Sequence, residues 1–313
     1  MLYDLVIIGG GPGGIAAGVY AARKKIKSAI VAGDFGGASK VSGDIQNWIG
    51  TKSISGYDWA KNMEEHLRAQ EGIDIILSDL AEKVEKTAGG FLVTTKKGQK
   101  LETKTVLVTT GSARKKLGIP GEEEYDGKGV VYCSTCDAPI FKDKVVAVVG
   151  GGNAGLEAVL DALPYASKIY LLDHNETLKG DMVTQEKITA SPKVEIIFKT
   201  EPVEILGDKF VTGMKYKTGT GEVKELKLEG VFVEIGSYPN VSFVKDLVQT
   251  NEFGEIIVDH KTQATSLPGI WAAGDVSDVL YKQNNISAGD AIKALLNIVD
   301  HLNQENTHRE YTK

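Results

Sequence analysis

Short unbroken apolar runs alternate with helical segments of small residues along most of the chain. The first run, residues 5–8, has the composition of a strand buried on both faces of a parallel sheet. Glycines follow it, and then an alanine-rich stretch at 15–22 predicts a helix packed closely on that sheet. A second strand is predicted at 29–31. This order of strand, turn, helix and strand predicts an α/β fold.

The same order recurs in the middle of the chain. A strand is predicted at 144–149, a helix at 156–163 and a further strand at 168–172. The two copies predict two Rossmann-like dinucleotide-binding domains. Outside them the pattern predicts a turn or crossover at 237–240, helices at 58–71 and 286–302, and strands at 74–76, 83–85, 91–95, 106–109, 230–236, 255–258 and 267–275.

The first glycine turn fits G-x-G-x-x-G. One glycine turns the chain sharply, one lets a pyrophosphate approach the backbone and one lets helix and strand pack closely, with the pyrophosphate at the positive helix end. Asp34, 20 residues after the last glycine, is placed to bind a ribose hydroxyl. The turn supplies five expected dinucleotide contacts: Gly9, Gly11, Pro12, Gly13 and Gly14.

The fingerprint returns in the second copy, followed 18 residues later by Asp173 at the end of a predicted strand. Two fingerprints in one chain predict a flavin that stays bound and a nicotinamide nucleotide that exchanges. The expected nicotinamide contacts in this turn are Gly150, Gly152, Asn153, Ala154 and Gly155.

Charge near the second fingerprint favours NADH over NADPH. The carboxylate of Asp173 can accept hydrogen bonds from ribose hydroxyls and would repel the additional phosphate of NADP. No arginine lies between Arg114 and Arg309 to bind that phosphate, and Lys179 and Lys187 could replace one only as point charges.

Cys133 and Cys136 are the only cysteines in the chain, and their C-x-x-C spacing allows a small disulfide ring. A zinc site would need two more ligands, and neither a second C-x-x-C nor a close histidine pair is present, so no metal is predicted. The pair is therefore predicted to be redox-active. Asp137 follows directly, either as a proton shuttle for the thiols or as a helix N-cap.

Composition excludes some classes of partner. The net charge is -6 and no basic run interleaved with aromatic residues occurs, so a nucleic-acid partner is not expected. No apolar run approaches the ~18 residues of a membrane span, so no membrane association is expected. The N-terminus lacks a basic, cleavable leader pattern, and a cytoplasmic location is expected.

Taken together, the paired fingerprints, Cys133-x-x-Cys136-Asp137 and Ala273-Gly274-Asp275 resemble the low-molecular-weight thioredoxin reductase family. Residues 129–141 and 281–283 resemble most closely the reductase portion of the alkyl hydroperoxide reductase flavoprotein. The resemblance covers essentially the whole chain.

The family resemblance implies a discontinuous FAD domain, residues 1–113 and 242–313, with the NAD(P)H domain and the C-x-x-C, residues 114–241, inserted into it. It also implies a homodimer and a rotation of one domain about hinges at 112–116 and 237–241. The expected FAD contacts beyond the first glycine turn and Asp34 are Asn47, Gly111, Gly274, Asp275 and Gln283.

The predicted activity is electron transfer from NADH to FAD, then to the Cys133–Cys136 disulfide, then to a disulfide of a partner protein. By the resemblance, Cys136 is the thiol next to the flavin and Cys133 attacks the partner. The partner is expected to be a thioredoxin-like, glutaredoxin-like or peroxiredoxin-linked protein. The alternatives are a dithiol or NADH oxidase and a redox sensor without turnover. Anaerobic NADH consumption with a disulfide substrate distinguishes a reductase from both.

Three positions depart from the family pattern. Ala38 stands in Gly36-Gly37-Ala38, where the family usually has glutamine, and this removes an amide near the flavin. Asp173-His174-Asn175 replaces the His-Arg-Arg that binds NADP, in agreement with the charge argument. The N-terminal thioredoxin-like domain of the peroxide-reductase flavoprotein is not expected here, so a relay protein would be separate.

Overall fold

The structure is a computed structural model that describes residues 2–42 and 45–311, with side chains as far as residue 304. The chain forms two compact units. The first unit comprises Met1–Val41, Trp48–Ala113 and Tyr238–Lys313, and the second comprises Ser42–Asn47 and Arg114–Ser237.

Seventeen strands and six α-helices are assigned within the described residues. The helices are α1 Pro12–Arg23, α2 Gly56–Arg68, α3 Ser134–Asp137, α4 Asn153–Ala162, α5 Met182–Thr189 and α6 Asn284–Tyr311, with 3₁₀ turns at Gly37–Val41 and Ala138–Phe141. The strands are β1 Leu2–Ile8, β2 Ser28–Ala32, β3 Ile73–Leu77, β4 Ala81–Thr87, β5 Gly90–Thr95, β6 Lys100–Val108, β7 Ser112–Arg114, β8 Val130–Val131, β9 Val145–Val149, β10 Lys168–Leu172, β11 Val194–Ile197, β12 Thr200–Gly207, β13 Val211–Thr218, β14 Val223–Lys227, β15 Gly230–Val233, β16 Ser237–Pro239 and β17 Ile270–Ala272.

The first unit is built on a seven-stranded sheet in the order β3-β2-β1-β6-β5-β4, with β17 also paired to β6. Its core strands β1, β2, β3, β6 and β17 are parallel, whereas β4, β5 and β6 form an antiparallel extension. Alternate residues of β1 enter two different cores: Leu5 and Ile7 pack with α1 and α6, and Val6 and Ile8 pack on the opposite face. Burial on both faces explains the unbroken apolar run.

The second unit repeats this arrangement on a parallel sheet in the order β11-β10-β9-β15-β8. Val146 and Val148 of β9 pack against α4, while Ala147 and Val149 pack in the core that includes the antiparallel sheet β12-β13-β14. The expectation of an α/β fold with two Rossmann-like units is confirmed.

Local structure differs from the sequence prediction at several places. Residues 255–258 form only isolated bridges, through Ile256 and Val258, so the predicted strand there is wrong. Of the strand predicted at 267–275, only Ile270–Ala272 is a strand. The predicted turn or crossover at 237–240 contains the extended strand β16, paired with β7, since proline is compatible with a short edge strand, and the first unit resumes at Tyr238. Helix α6 continues to Tyr311, beyond its apolar stripe, because backbone hydrogen bonds propagate a helix without burial. The predicted domain rotation stays a prediction.

No helix among residues 2–42 and 45–311 is long and apolar enough to cross a bilayer. Within the same described residues, no three His, Cys, Asp or Glu side chains converge in a group that could hold a metal ion.

Candidate active site

The two glycine turns have nearly the same backbone geometry. Gly9 has φ of +120° and Gly150 has φ of +121°, values in the region that favours glycine. In both turns the last glycine packs on the first: a Cβ added to Gly14 would strike the Gly9 carbonyl, and a Cβ added to Gly155 would strike the Gly150 carbonyl. The sequence repeat is therefore a structural repeat, and each turn brings its helix directly onto its strand.

A cavity of about 510 Å³ lies at the carboxyl ends of the parallel strands in the first unit. Six of the predicted flavin contacts line this cavity: Gly9, Gly11, Pro12, Asp34, Gly111 and Asp275. Gly37 and Ala38, from the turn that departs from the family pattern, line it too. The volume falls within the range of ordinary ligand sites, and its position at the strand ends is usual for α/β sheets.

The residues at this cavity fit the pyrophosphate of a dinucleotide. Gly11 is the N-cap of α1 and has no side chain that could cap the first backbone N–H groups. A Cβ at Gly11 would approach only Gly37, at 4.0 Å, and a Cβ at Gly111 would meet nothing within 4 Å. The backbone is thus open to a bulky anion at the positive end of α1.

The two acids at this cavity are held differently. The Asp34 side chain is 61% exposed and its carboxylate pairs with the Lys40 ammonium at 2.9 Å, so Lys40 already neutralises part of its charge. The backbone carbonyl of Asp275 accepts a hydrogen bond from Lys282 Nζ at 3.1 Å. Lys282 also pairs with Glu255 at 2.8 Å, and these contacts fix the turn that carries Asp275.

Five predicted flavin contacts do not line the cavity, and the first is Gly14, which packs on the Gly9 carbonyl. Gly13 and Gly274 are covered by Ser287 of α6, which a Cβ at either glycine would meet. Gln283 lies just before α6 and accepts the N–H of Ser287 through its carbonyl. Asn47 is half-buried and belongs to the segment grouped with the second unit. The roles of all five stay predictions.

Two lining residues, Asn284 and Ser287, were missed by the sequence reasoning. Asn284 hydrogen-bonds Ser39 at 2.9 Å, which joins α6 to the 3₁₀ turn beside the cavity. Ser287 stands one helical turn before Ala291 on the face of α6 that packs on α1. A small polar residue in an apolar helical stripe was the available signal.

In the second unit, the loop after β10 closes over the second glycine turn. Lys179 N donates to the Gly151 carbonyl at 2.9 Å, and Asp181 N donates to Asn153 Oδ1 at 2.7 Å. Gly152 is the N-cap of α4 without a side-chain cap, and a Cβ there would meet nothing within 4 Å. This turn therefore fits a nucleotide pyrophosphate as the first one does.

Asp173 lies beneath this turn, and a Cβ at Gly151 would meet its carboxylate. It is only 3% exposed, and its Oδ1 accepts hydrogen bonds from Asn175 N at 2.7 Å and Asn175 Nδ2 at 2.8 Å. Oδ1 is thus occupied within the loop, Oδ2 lies against Gly151, and the role of Asp173 in binding a ribose hydroxyl stays a prediction. The Lys179 side chain, on the same loop, is exposed.

Cys133 and Cys136 form a disulfide with a Cα–Cα distance of 5.4 Å. Cys133 is the N-cap of the one-turn helix α3, and its carbonyl accepts hydrogen bonds from Cys136 N and Asp137 N. The two residues between the cysteines are tied to α4, because the Ser134 and Thr135 hydroxyls donate to Asp161 at 2.8 and 3.2 Å. Helix α4 therefore joins the second glycine turn at its start to the disulfide near its end.

Asp137 is half-buried beside the disulfide, and burial raises the pKa of its carboxyl to about 6. It precedes the 3₁₀ turn at Ala138–Phe141 but makes no capping hydrogen bond through its side chain. A carboxyl that titrates close to neutrality and does not cap a helix suits proton transfer.

Comparison with known proteins shows relatives that are longer than this chain. An alkyl hydroperoxide reductase protein of Staphylococcus epidermidis is 40% identical over 301 residues, which cover 96% of this chain and 59% of that protein. The corresponding alkyl hydroperoxide reductase protein of Pseudomonas putida is 42% identical over 304 residues, 96% of this chain and 58% of that protein. The chain thus spans less than two thirds of the length of these relatives.

Solved thioredoxin reductases share the architecture. The enzyme of Streptococcus pyogenes superposes with a TM-score of 0.89 at 34% identity, covering 97% of this chain and 99% of that one. The enzyme of Giardia duodenalis superposes with a TM-score of 0.88 at 28% identity, covering 96% of this chain and 99% of that one.

The motif-based resemblance is confirmed by these comparisons. Residues 3–292 match the family model described as pyridine nucleotide-disulphide oxidoreductase. The match includes both glycine turns, the disulfide and the turn at Gly274-Asp275. The chain belongs to the pyridine nucleotide-disulphide oxidoreductase family.

Proposed function

We propose that the protein is a disulfide reductase that takes electrons from NADH, through FAD, to the Cys133–Cys136 disulfide and then to a disulfide of a small redox protein. The observation that carries this proposal is the disulfide itself, set in a short helical turn beside the half-buried carboxyl of Asp137. Family membership implies FAD and a nicotinamide nucleotide as cofactors. The flavin supplies the two-electron link between hydride donor and disulfide.

The chain's own residues divide the work between the units. In the first unit, the Gly9–Gly14 turn and Gly111 hold the pyrophosphate side of FAD, and Asp34, Asp275 and Asn284 line the same cavity. In the second unit, the Gly150–Gly155 turn and Asp173 hold the nicotinamide nucleotide. Asp137 accepts or returns the proton that thiol chemistry requires, as its pKa of about 6 allows.

We expect NADH to give a higher kcat/KM than NADPH. The substitution Asp173→Asn should reduce the ratio of the two kcat/KM values by roughly tenfold, about 1.4 kcal/mol. The reason is that the buried Asp173 carboxylate repels the phosphate of NADP. Steady-state rates with each nucleotide measure the ratio. Glu176→Gln is the matched control, since it removes an exposed carboxylate of the same loop that pairs with Lys199. An equal or higher kcat/KM with NADPH in the unaltered protein contradicts the proposal.

The partner is proposed by chemistry: a small protein with an exposed disulfide, of the thioredoxin, glutaredoxin or peroxiredoxin-linked type. The relatives are named as thioredoxin reductases and alkyl hydroperoxide reductases, which supports either a thioredoxin or a peroxide-reducing relay. With Cys136 replaced by serine, the free Cys133 thiol should form a stable mixed disulfide with the partner. Capture of a single mixed disulfide that dithiothreitol reverses identifies the partner protein.

A homodimer is proposed as the working form on the family resemblance alone, and the cytoplasmic location stays an expectation from the sequence. Anaerobic NADH consumption with a disulfide substrate tests the activity itself. Consumption that requires oxygen would indicate an oxidase, and no consumption with either acceptor would indicate a sensor.

A further inference from the structure

Glu234 is a buried carboxyl residue that the proposed function does not use. It directly follows β15, donates its N–H to the Val149 carbonyl at 2.9 Å and is 8% exposed. Its own carbonyl lies against Gly150, the first residue of the second glycine turn. Glutamate is rarely this buried unless its carboxylate has a partner.

The partner of the Glu234 carboxylate is the disulfide turn. Strand β15 pairs in parallel with β8, Phe232 beside Val131, so Glu234 follows β15 next to the start of α3, and the nearby backbone N–H of Ser134 lowers the pKa of its carboxyl. The Ser134 hydroxyl donates on its other side to Asp161 of α4 at 2.8 Å. Glu234 and Asp161 therefore hold one residue of the C-x-x-C from two directions.

The charges around Glu234 are mostly negative. Arg114 favours its charged form and Lys115 lies beside Gly236, two residues further on, whereas Asp161 and Glu157 of α4 repel its charge, and Asp137 ends α3. Burial raises the pKa of Glu234 to about 7 against the opposing effects of Arg114 and the Ser134 N–H. With the disulfide closed, Glu234 is thus poised between its charged and neutral forms near neutral pH.

We propose that Glu234 takes up a proton when the Cys133–Cys136 disulfide is reduced and releases it when the disulfide forms again. The inference rests on the proposed function, because it requires a redox-active dithiol. Two electrons from the hydride donor break the S–S bond, and one sulfur becomes a thiol by taking one proton while the other becomes a thiolate. A second proton from solvent converts the Glu234 carboxylate to the carboxylic acid.

This proton keeps the charge of the buried turn unchanged. Before reduction the turn faces one carboxylate at Glu234, and after reduction it carries one thiolate beside a neutral acid. Without the proton, the thiolate at α3 and the Glu234 carboxylate after β15 would be two negative charges close together in a partly buried site, which is costly. The thiolate therefore moves the pKa of Glu234 upward from its value of about 7 in the disulfide form. At a pH between the pKa of Glu234 in the disulfide form and its higher pKa in the reduced form, reduction takes up one proton more than the thiols alone require.

The test is the pH dependence of the dithiol–disulfide equilibrium of the purified full chain in dithiothreitol redox buffers. Free thiols are alkylated and counted by mass at each pH from about 6 to about 9. Glu234→Gln keeps an oxygen that can accept the Ser134 N–H but cannot take up a proton. Glu229→Gln is the matched control, since it neutralises an exposed carboxylate just before the same strand, one that accepts the Val145 N–H at 3.3 Å.

Above about pH 7, the equilibrium constant for reduction should fall more steeply with pH in the unaltered protein than in Glu234→Gln. The additional fall should be about tenfold per pH unit. The Glu229→Gln protein should follow the unaltered one. If the ratio of the two proteins' equilibrium constants for reduction does not change with pH, the inference is overturned. Should Glu234→Gln not fold, the infrared difference spectrum of Asp137→Asn on reduction at about pH 8 decides, since that variant keeps Glu234: a gained carboxylic-acid band supports the inference and its absence overturns it. A pair that dithiothreitol cannot reduce at any pH instead overturns the proposed function.

Discussion

Cys136→Ser is expected to abolish turnover with a disulfide substrate while NADH still bleaches the flavin absorbance. The variant keeps both glycine turns, Asp137 and the flavin cavity intact, so nucleotide binding does not depend on the missing sulfur. It removes the disulfide that takes electrons from the flavin, and serine cannot form that bond. Substrate reduction should fall to the rate measured without protein. Anaerobic absorbance traces and disulfide assays on one preparation measure both effects.

Thr135→Ser is the matched control for this experiment. It changes a residue between the two cysteines but keeps the hydroxyl that donates to Asp161. Its disulfide turnover should stay close to that of the unaltered protein. Disulfide turnover retained in Cys136→Ser would remove the Cys133–Cys136 pair from the electron path.

The fold was predictable because its strongest signals are local in sequence. The unbroken run of β1 followed by the Gly9–Gly14 turn specifies a strand, a phosphate loop and a helix within about 25 residues. The recurrence of that pattern at β9 and Gly150 specified the second unit in the same way. In each turn the first and last glycines are required by a backbone contact that any side chain would block, so the motif itself contains the geometry.

The parts of the site that the sequence did not reveal depend on long-range packing. Asp161 and Glu234 lie 25 and 98 residues beyond Cys136, and no spacing rule connects them to the C-x-x-C turn. Only the parallel sheet, which pairs β15 with β8, brings Glu234 beside the C-x-x-C turn. The acid at Asp34 was visible in the sequence, but its pairing with Lys40 depends on the turn at Gly37–Val41.

Asp137→Asn is expected to slow disulfide turnover by about 10²- to 10⁴-fold, the usual contribution of a positioned acid or base. Opening and closing the Cys133–Cys136 bond moves protons at the sulfurs, and Asp137 is the half-buried carboxyl directly beside Cys136. Burial raises its pKa to about 6, so at neutral pH it changes protonation at little cost. The unaltered protein should show an ionisation near pH 6 in its rate of disulfide reduction, and the asparagine variant should lack it.

The same substitution should stabilise the fold at higher pH, and this separates loss of chemistry from loss of structure. A carboxyl whose pKa is raised by folding favours the folded state below its unfolded pKa, and this stability is lost as pH rises through about 6. Asparagine carries no charge at any pH, so the variant should gain about 1 to 3 kcal/mol relative to the unaltered protein above that pH, and nothing near pH 4. Denaturant unfolding at both pH values measures the gain. A variant that loses turnover together with stability at high pH would show that Asp137 supports the structure and does not transfer protons.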